Sequence, residues 1–312
     1  MFFDKLLNVE LQIILFFMIG IFLKKKNVAN SNSDTFLSSF ILNIIMPTNI
    51  FLCFYNNVSA NIMLSSIPLI FVGVLVVIAI QLFSKINPFK LDSNRRKISE
   101  YGMLISNGSL VGLPIVENLF GSIGVVYANI FMIPTRILAF SFAEKYFNPN
   151  YQKLSLKNTI INFLSNPITI AMIVGFSFNV LHIVLPTSLN ITFSSLSSCM
   201  SPLALILVGS TLADIEDFKI FLQKDLWAMS LFRLFISPLI TAIITVLLNL
   251  PITVTMVAVI INATPVASTA TIFCKKYNGD LSYTSGFVFL TTALSIISLF
   301  LVCTFIQRIF II

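Results

Sequence analysis

Histidine is almost missing from this 312-residue chain, with His182 its one example. That scarcity removes most metal-binding and general acid–base designs, and neither HExxH nor GxSxG occurs. Cysteine is sparse as well. Cys53, Cys199, Cys274 and Cys303 lie far apart with no CxxC, so neither a disulfide framework nor a metal site is indicated. Charge is the most telling shortage: 10% of residues are charged, against about 25% in soluble domains. With 57% hydrophobic residues and a mean hydropathy of +0.97, the chain does not cover its own surface in water. Disordered tails, disulfide scaffolds and nucleic-acid binders drop out together. The formal charge of +7 and pI near 9.3 do not restore a nucleic-acid reading. The 19 Lys and Arg sit between apolar runs, where they report membrane topology. What remains is a polytopic membrane protein.

A spanning helix needs about 20 mostly apolar residues to cross roughly 30 Å of hydrocarbon. Ten stretches meet that measure. The first five run approximately Leu7–Leu23, Thr35–Tyr55, Ile62–Phe83, Ile98–Phe120 and Ile123–Ala143. The second five run Thr159–Val184, Leu189–Ala213, Leu226–Leu248, Ile252–Cys274 and Leu281–Ile306. The first is expected to be a retained span and not a signal peptide, because Lys24, Lys25 and Lys26 follow the apolar run and no small-residue cleavage site is evident.

Basic residues then set the orientation. Fifteen of the nineteen fall after odd-numbered spans: Lys24–Lys26; Lys85, Lys90, Arg95, Arg96 and Lys97; Lys145, Lys153 and Lys157; Lys219 and Lys224; Lys275 and Lys276. The even-numbered loops hold none. The positive-inside rule therefore places odd loops in the cytoplasm of a cell whose plasma (inner) membrane holds the chain, and both termini outside.

Landmarks recur at an interval of 155, almost half the length. Gly20 and Gly175, Pro47 and Pro202, Asn107 and Asn262, and Gly124 and Gly279 are such pairs. Five spans per half is an odd number, so the second half enters the membrane the other way up. The expected fold is all-α, with a first inverted repeat over 1–146, a cytoplasmic linker over 147–157 and a second repeat over 158–312. Secondary transporters commonly have this plan, with the site at mid-membrane.

Spans four and nine carry the chemistry. Span four reads Ser106-Asn107-Gly108-Ser109-Leu110-Val111-Gly112-Leu113-Pro114, and span nine reads Asn262-Ala263-Thr264-Pro265. Proline lacks an amide hydrogen and glycine weakens a helix, so each span is expected to break there. Freed backbone groups are tolerated only within protein or beside a wet cavity. Thr264 suits an N-cap before Pro265. Two opposed half-helix N-termini would present positive dipole ends to one region, which suits an anion. Asn107 and Asn262 add neutral amide groups. The plainer reading, that Asn and Pro merely kink packed helices, is less economical for breaks in matching spans.

On these residues the chain resembles the auxin efflux carrier family, which includes plant auxin exporters and bacterial malate- or malonate-type permeases. The resemblance covers nearly the whole chain. It runs through Asn43 to Pro47 with Phe51, Asn107 to Gly121, and Asn166-Pro167 to Gly175. It continues through Ser201-Pro202 to Leu212, Arg233 to Pro238-Leu239, and Asn262 to Pro265. It implies ten helices in the crossed-helix fold shared with bile-acid symporters and sodium/proton antiporters. It further implies a scaffold of spans one, two, six and seven, a transport domain of spans three to five and eight to ten, elevator-like movement, and a homodimer through the scaffold. Substrate would sit at the crossing, against Asn107, Gly112, Pro114, Asn262, Thr264 and Pro265. No cofactor or metal is implied.

Ionisable residues inside hydrocarbon are functional candidates. Glu117 either binds a proton or cation, or faces the outer mouth. Arg136 and Arg233 either neutralise an organic acid, since guanidinium forks carboxylates well, or snorkel to the cytoplasmic interface. His182 reads as interfacial, Tyr55 and Trp227 as aromatic-belt residues. Asp214, Glu216, Asp217 and Asp225, with Lys219 and Lys224, read as a solvated cytoplasmic loop. The leading expectation is a secondary carrier of small organic anions. A sodium- or proton-coupled exchanger on the same fold comes second, although spans four, five and nine contain no aspartate. A membrane enzyme would need a nucleophile–base pair or metal ligands that the chain does not display, and a non-transporting sensor is the remaining class.

Overall fold

The computed structural model describes residues 2–57, 60–84, 91–148, 156–213 and 218–311. Among them every regular element is helical, apart from one antiparallel bridge between Ser106 and Val266. In chain order the α-helices begin with α1 (Phe2–Lys25), α2 (Ser31–Phe40), α3 (Met46–Asn57), α4 (Ala60–Ser84) and α5 (Ser93–Leu104). Next come α6 (Leu113–Phe131), α7 (Ile133–Phe147), α8 (Leu156–Leu164), α9 (Pro167–Val180), α10 (Thr187–Ser198) and α11 (Met200–Leu212). The last are α12 (Lys224–Leu231), α13 (Ser237–Leu247), α14 (Ile252–Ala263), α15 (Thr269–Lys276) and α16 (Leu281–Ile311).

Seven helical segments are long and apolar enough to cross a bilayer: Leu7–Lys25, Ser31–Asn56, Ser66–Ser84, Gly108–Phe131, Thr187–Leu212, Lys224–Leu247 and Leu281–Ile309. The pair Lys157–Leu164 and Pro167–Val180, bent by 66°, makes an eighth. The two other expected spans are divided. Ile252–Cys274 is split between α14 and α15, and Ile123–Ala143 between α6 and α7. Lys85, Lys90, Lys153, Asp214, Glu216 and Asp217 lie outside the described residues, as do most of the expected linker and the side chains of Lys145, Lys219 and Lys275.

Three prolines explain the irregular turns. π-Helical turns occupy Ile41–Ile45, Gly108–Gly112 and Phe232–Ile236, each ending two residues before a proline: Pro47, Pro114 and Pro238. A proline ring clashes with the carbonyl four residues earlier and donates no bond. Widening the preceding turn relieves that clash without ending the helix. Pro114 therefore sits inside a helix that continues, and the break in the expected fourth span lies earlier, at Ile105–Asn107.

Gly121 has φ 66° and ψ −163°, a conformation open essentially to glycine, and it interrupts α6. A Cβ placed on Gly124 would lie 2.9 Å from Val116 Cγ1. Residues eight apart on a straight helix are about 12 Å apart, so the chain bends sharply at Gly121, where the sequence divides spans four and five.

Contacts group the chain into two units. The first comprises Met1–Pro68, Ser109–Ile130 and Ile160–Asp214; the second comprises Leu69–Gly108, Phe131–Thr159 and Ile215–Ile312. Within the first, α1 packs on α11 and α3 packs on α9. A Cβ on Gly20 would overlap the Ile206 carbonyl, and one on Gly175 would lie 2.6 Å from the Phe51 carbonyl. These are one contact written twice, with numbers shifted by 155 and partners exchanged. Helix ends repeat it. Asn27 and His182, also 155 apart, both close their helices with positive φ, and Val28 N–H to Leu23 O recurs as Ile183 N–H to Phe178 O. Asp34 joins α1, α2 and α11, pairing with Lys24 and accepting from Ser210 Oγ at 2.8 Å.

In the second unit α14 packs against α13 and α16, and α12 against α16. Asp225, expected to be merely solvated, instead faces Arg95 at 3.8 Å, as do Asp92 and Asp280 at 3.6 and 3.4 Å. The same guanidinium lies over the Tyr283 ring. One half-buried cation in the first turn of α5 thus ties the starts of α5, α12 and α16 together.

Candidate functional site

Two interrupted helices meet in the second unit. α5 runs out into extended backbone at Ile105, and α14 does so at Thr264 (φ −67°, ψ 155°). The two loose ends then pair as a minimal antiparallel ladder. Asn107 N–H donates to the Pro265 carbonyl at 2.8 Å, and Ala267 N–H donates to the Ile105 carbonyl at 3.1 Å. Val266 N–H donates to Thr291 Oγ1 of α16 at 3.2 Å. Non-helical backbone in a membrane protein must find such partners inside the protein.

This pairing corrects two expectations. Amides at the crossing of the two breaks (Asn107, Val266, Ala267) are already bonded, so they are not free donors awaiting an anion. Thr264 is not an N-cap: it ends α14, donates its hydroxyl to Ile261 O at 2.7 Å, and α15 starts only at Thr269. The small hydroxyl residue bonds back to a carbonyl in the last turn of the helix behind it, as Ser and Thr side chains do to carbonyls three or four residues earlier.

The electropositive element is a side chain. Arg233 lies in the π-turn between α12 and α13 with 0% of its surface exposed. Its Nη1 donates to Asn262 Oδ1 (3.0 Å), Ser237 Oγ (2.9 Å) and Met103 O (3.3 Å). Asn262 is held in turn, its Nδ2 donating to Ser237 O at 3.0 Å and Thr241 Oγ1 at 2.6 Å. Nε and Nη2 of Arg233 have no hydrogen-bond partner among the described residues, and no carboxylate there pairs with it. A buried cation with idle donors is costly unless an anion completes it. The same π-turn supplies Phe232, Phe235 and Ile236 to an apolar cavity of about 490 Å³ that Phe83, Met103 and Met229 also line.

Of the expected site residues, the second unit therefore brings together Asn107, Asn262, Thr264, Pro265 and Arg233. Arg136 sits half-buried in the first turn of α7. Gly112 and Pro114, both buried, close the π-turn and open α6 in the first unit. Glu117 follows on α6, where its Oε1 accepts from Asn49 Nδ2 at 2.9 Å.

Sequence reasoning passed over Ser237, Thr241, Thr291, Asn49 and Ser197. One signal was available. Arg233, Ser237, Thr241 and Thr245 recur every four residues in an apolar run, which places them on one helix face, and all four are fully buried. Thr291, Asn49 and Ser197 carry no such periodic mark.

Residues 152–303 match the family model described as membrane transport protein. That stretch, just under half of the chain, is similar to this family. An uncharacterized transporter of Methanocaldococcus jannaschii is 24% identical over 311 residues, spanning 93% of this chain and 96% of the relative. Seven or eight helices long and apolar enough to cross a bilayer accompany this similarity to membrane transport proteins.

Proposed function

We propose that the chain is a secondary carrier of small organic anions such as carboxylates, with the anion bound at the crossing by Arg233. The observation that carries this reading is the fully buried guanidinium with two idle nitrogens, Nε and Nη2, and no carboxylate partner among the described residues. A carboxylate accepts such a fork bidentately. Asn262 positions the guanidinium, and the apolar cavity on the same π-turn suits an organic body.

The reading includes ten spans in two inverted halves. Its support is the interval of 155 that relates Gly20·Ile206 to Gly175·Phe51 and Asn27 to His182. An elevator-like movement, a homodimer through spans one, two, six and seven, residence in the plasma (inner) membrane, and termini outside belong to the same proposal. α1–α3 and α9–α11 fall in one contact unit, although the second half of span four falls there too.

Purified protein in vesicles, screened by counterflow against mono- and dicarboxylates, tests the reading. Native protein should exchange at least one such anion, and Arg233→Gln should reduce the exchange at least tenfold. Equal exchange by native and Arg233→Gln protein contradicts the assignment of the site.

A further inference from the structure

We propose that Glu117, Asn49 and Ser197 form a proton-binding site on α6, α3 and α10. Asn49 is fully buried, and its Nδ2 donates both to Glu117 Oε1 and to Ser197 Oγ, each at 2.9 Å. Asn118, next along α6, donates from Nδ2 to Pro114 O at 2.8 Å and to Ser201 Oγ of α11 at 3.4 Å. Ser31–Asn56 and Gly108–Phe131, which carry Asn49 and Glu117, are both apolar enough to span a bilayer. Among the described residues no Lys, Arg or His pairs with Glu117. A carboxylate so placed is relieved by a proton or by a cation.

Donor direction separates the two. A hard cation needs oxygens turned inward, yet Asn49 turns its N–H groups to both Glu117 and Ser197. The Asn49 Oδ1 is turned away from Glu117 and faces the Cys53 thiol, at 3.8 Å from Sγ. A proton fits the same geometry. It passes from water to Glu117 Oε2, no protein bond breaks, and Oε1 goes on accepting from Asn49 in both states. Facing groups scarcely compete. α3 contributes the Cys53 thiol, the other titratable group beside Glu117 among the described residues; α10 and α11 contribute Ser197 and Ser201. Any link between this proton and flux rests on the carrier reading, whereas the proton site itself does not.

Infrared difference spectra of the full chain in phospholipid bilayers, between acid and alkaline buffer, test the proposal. Native protein should show a protonated-carboxyl stretch that Glu117→Gln lacks, since the amide keeps the Asn49 bond while losing the proton. Asn49→Leu should move that band to higher frequency by removing the donor to its carbonyl. Spectra unchanged by either substitution overturn the site, and so does a band abolished by sodium at constant pH. No substrate enters this measurement, so it is decided apart from the counterflow result.

Discussion

Asn262 serves three partners at once, and its replacement therefore acts on folding as well as on transport. Asn262→Leu strips an acceptor from Arg233 and donors from Ser237 O and Thr241 Oγ1. Leaving such buried groups unmet costs about 1–3 kcal/mol each. We expect a lowered thermal unfolding midpoint in detergent together with lost exchange. Thr241→Val removes one hydroxyl that accepts from Asn262 and should lower the midpoint less. The site was legible in part at this scale. Asn107, Asn262 and Pro265 are visible as polar and helix-breaking residues in apolar runs. That Asn262 answers to Arg233, 29 positions earlier, depends on α14 packing against α13 and has no local mark.

Close approach governs the helices. Gly20 and Gly175 meet carbonyl groups of facing helices, where small residues let membrane helices pack backbone to backbone. Gly175→Ala forces Phe51 O away and should destabilise the protein by about 1–3 kcal/mol, read as a fall in unfolding temperature. Gly121→Ala should cost about 1–3 kcal/mol through backbone strain alone, since nothing lies within 4 Å of a Cβ there. Gly20, Gly175 and the interval between them were readable before any coordinates, because a repeated contact leaves a repeated residue. The position of the break near Pro114 was not. A proline announces a disturbed turn, but whether the helix stops or widens is settled by neighbouring packing, and here it widens over Gly108–Gly112.

For the molecule as a whole, basic residues between apolar runs and the proposed inversion of the two halves predict which loops face the cytoplasm. Single cysteines placed at Lys26 and at Leu185, in a background with the native four replaced, should label from opposite sides of sealed cells, Lys26 from within. Labelling of both from one side contradicts the inverted arrangement.

The central claim concerns the charge of one buried guanidinium, and Asn262→Asp addresses it with a change of one functional group. The new carboxylate would sit where Asn262 Oδ1 now accepts from Arg233 and would neutralise the cation internally. Counterflow of an anion that native protein exchanges should then fall to the level of empty vesicles, with folding measured alongside because Ser237 O loses its amide donor. Full exchange by folded Asn262→Asp protein would show that the idle donors of Arg233 do not hold the transported anion.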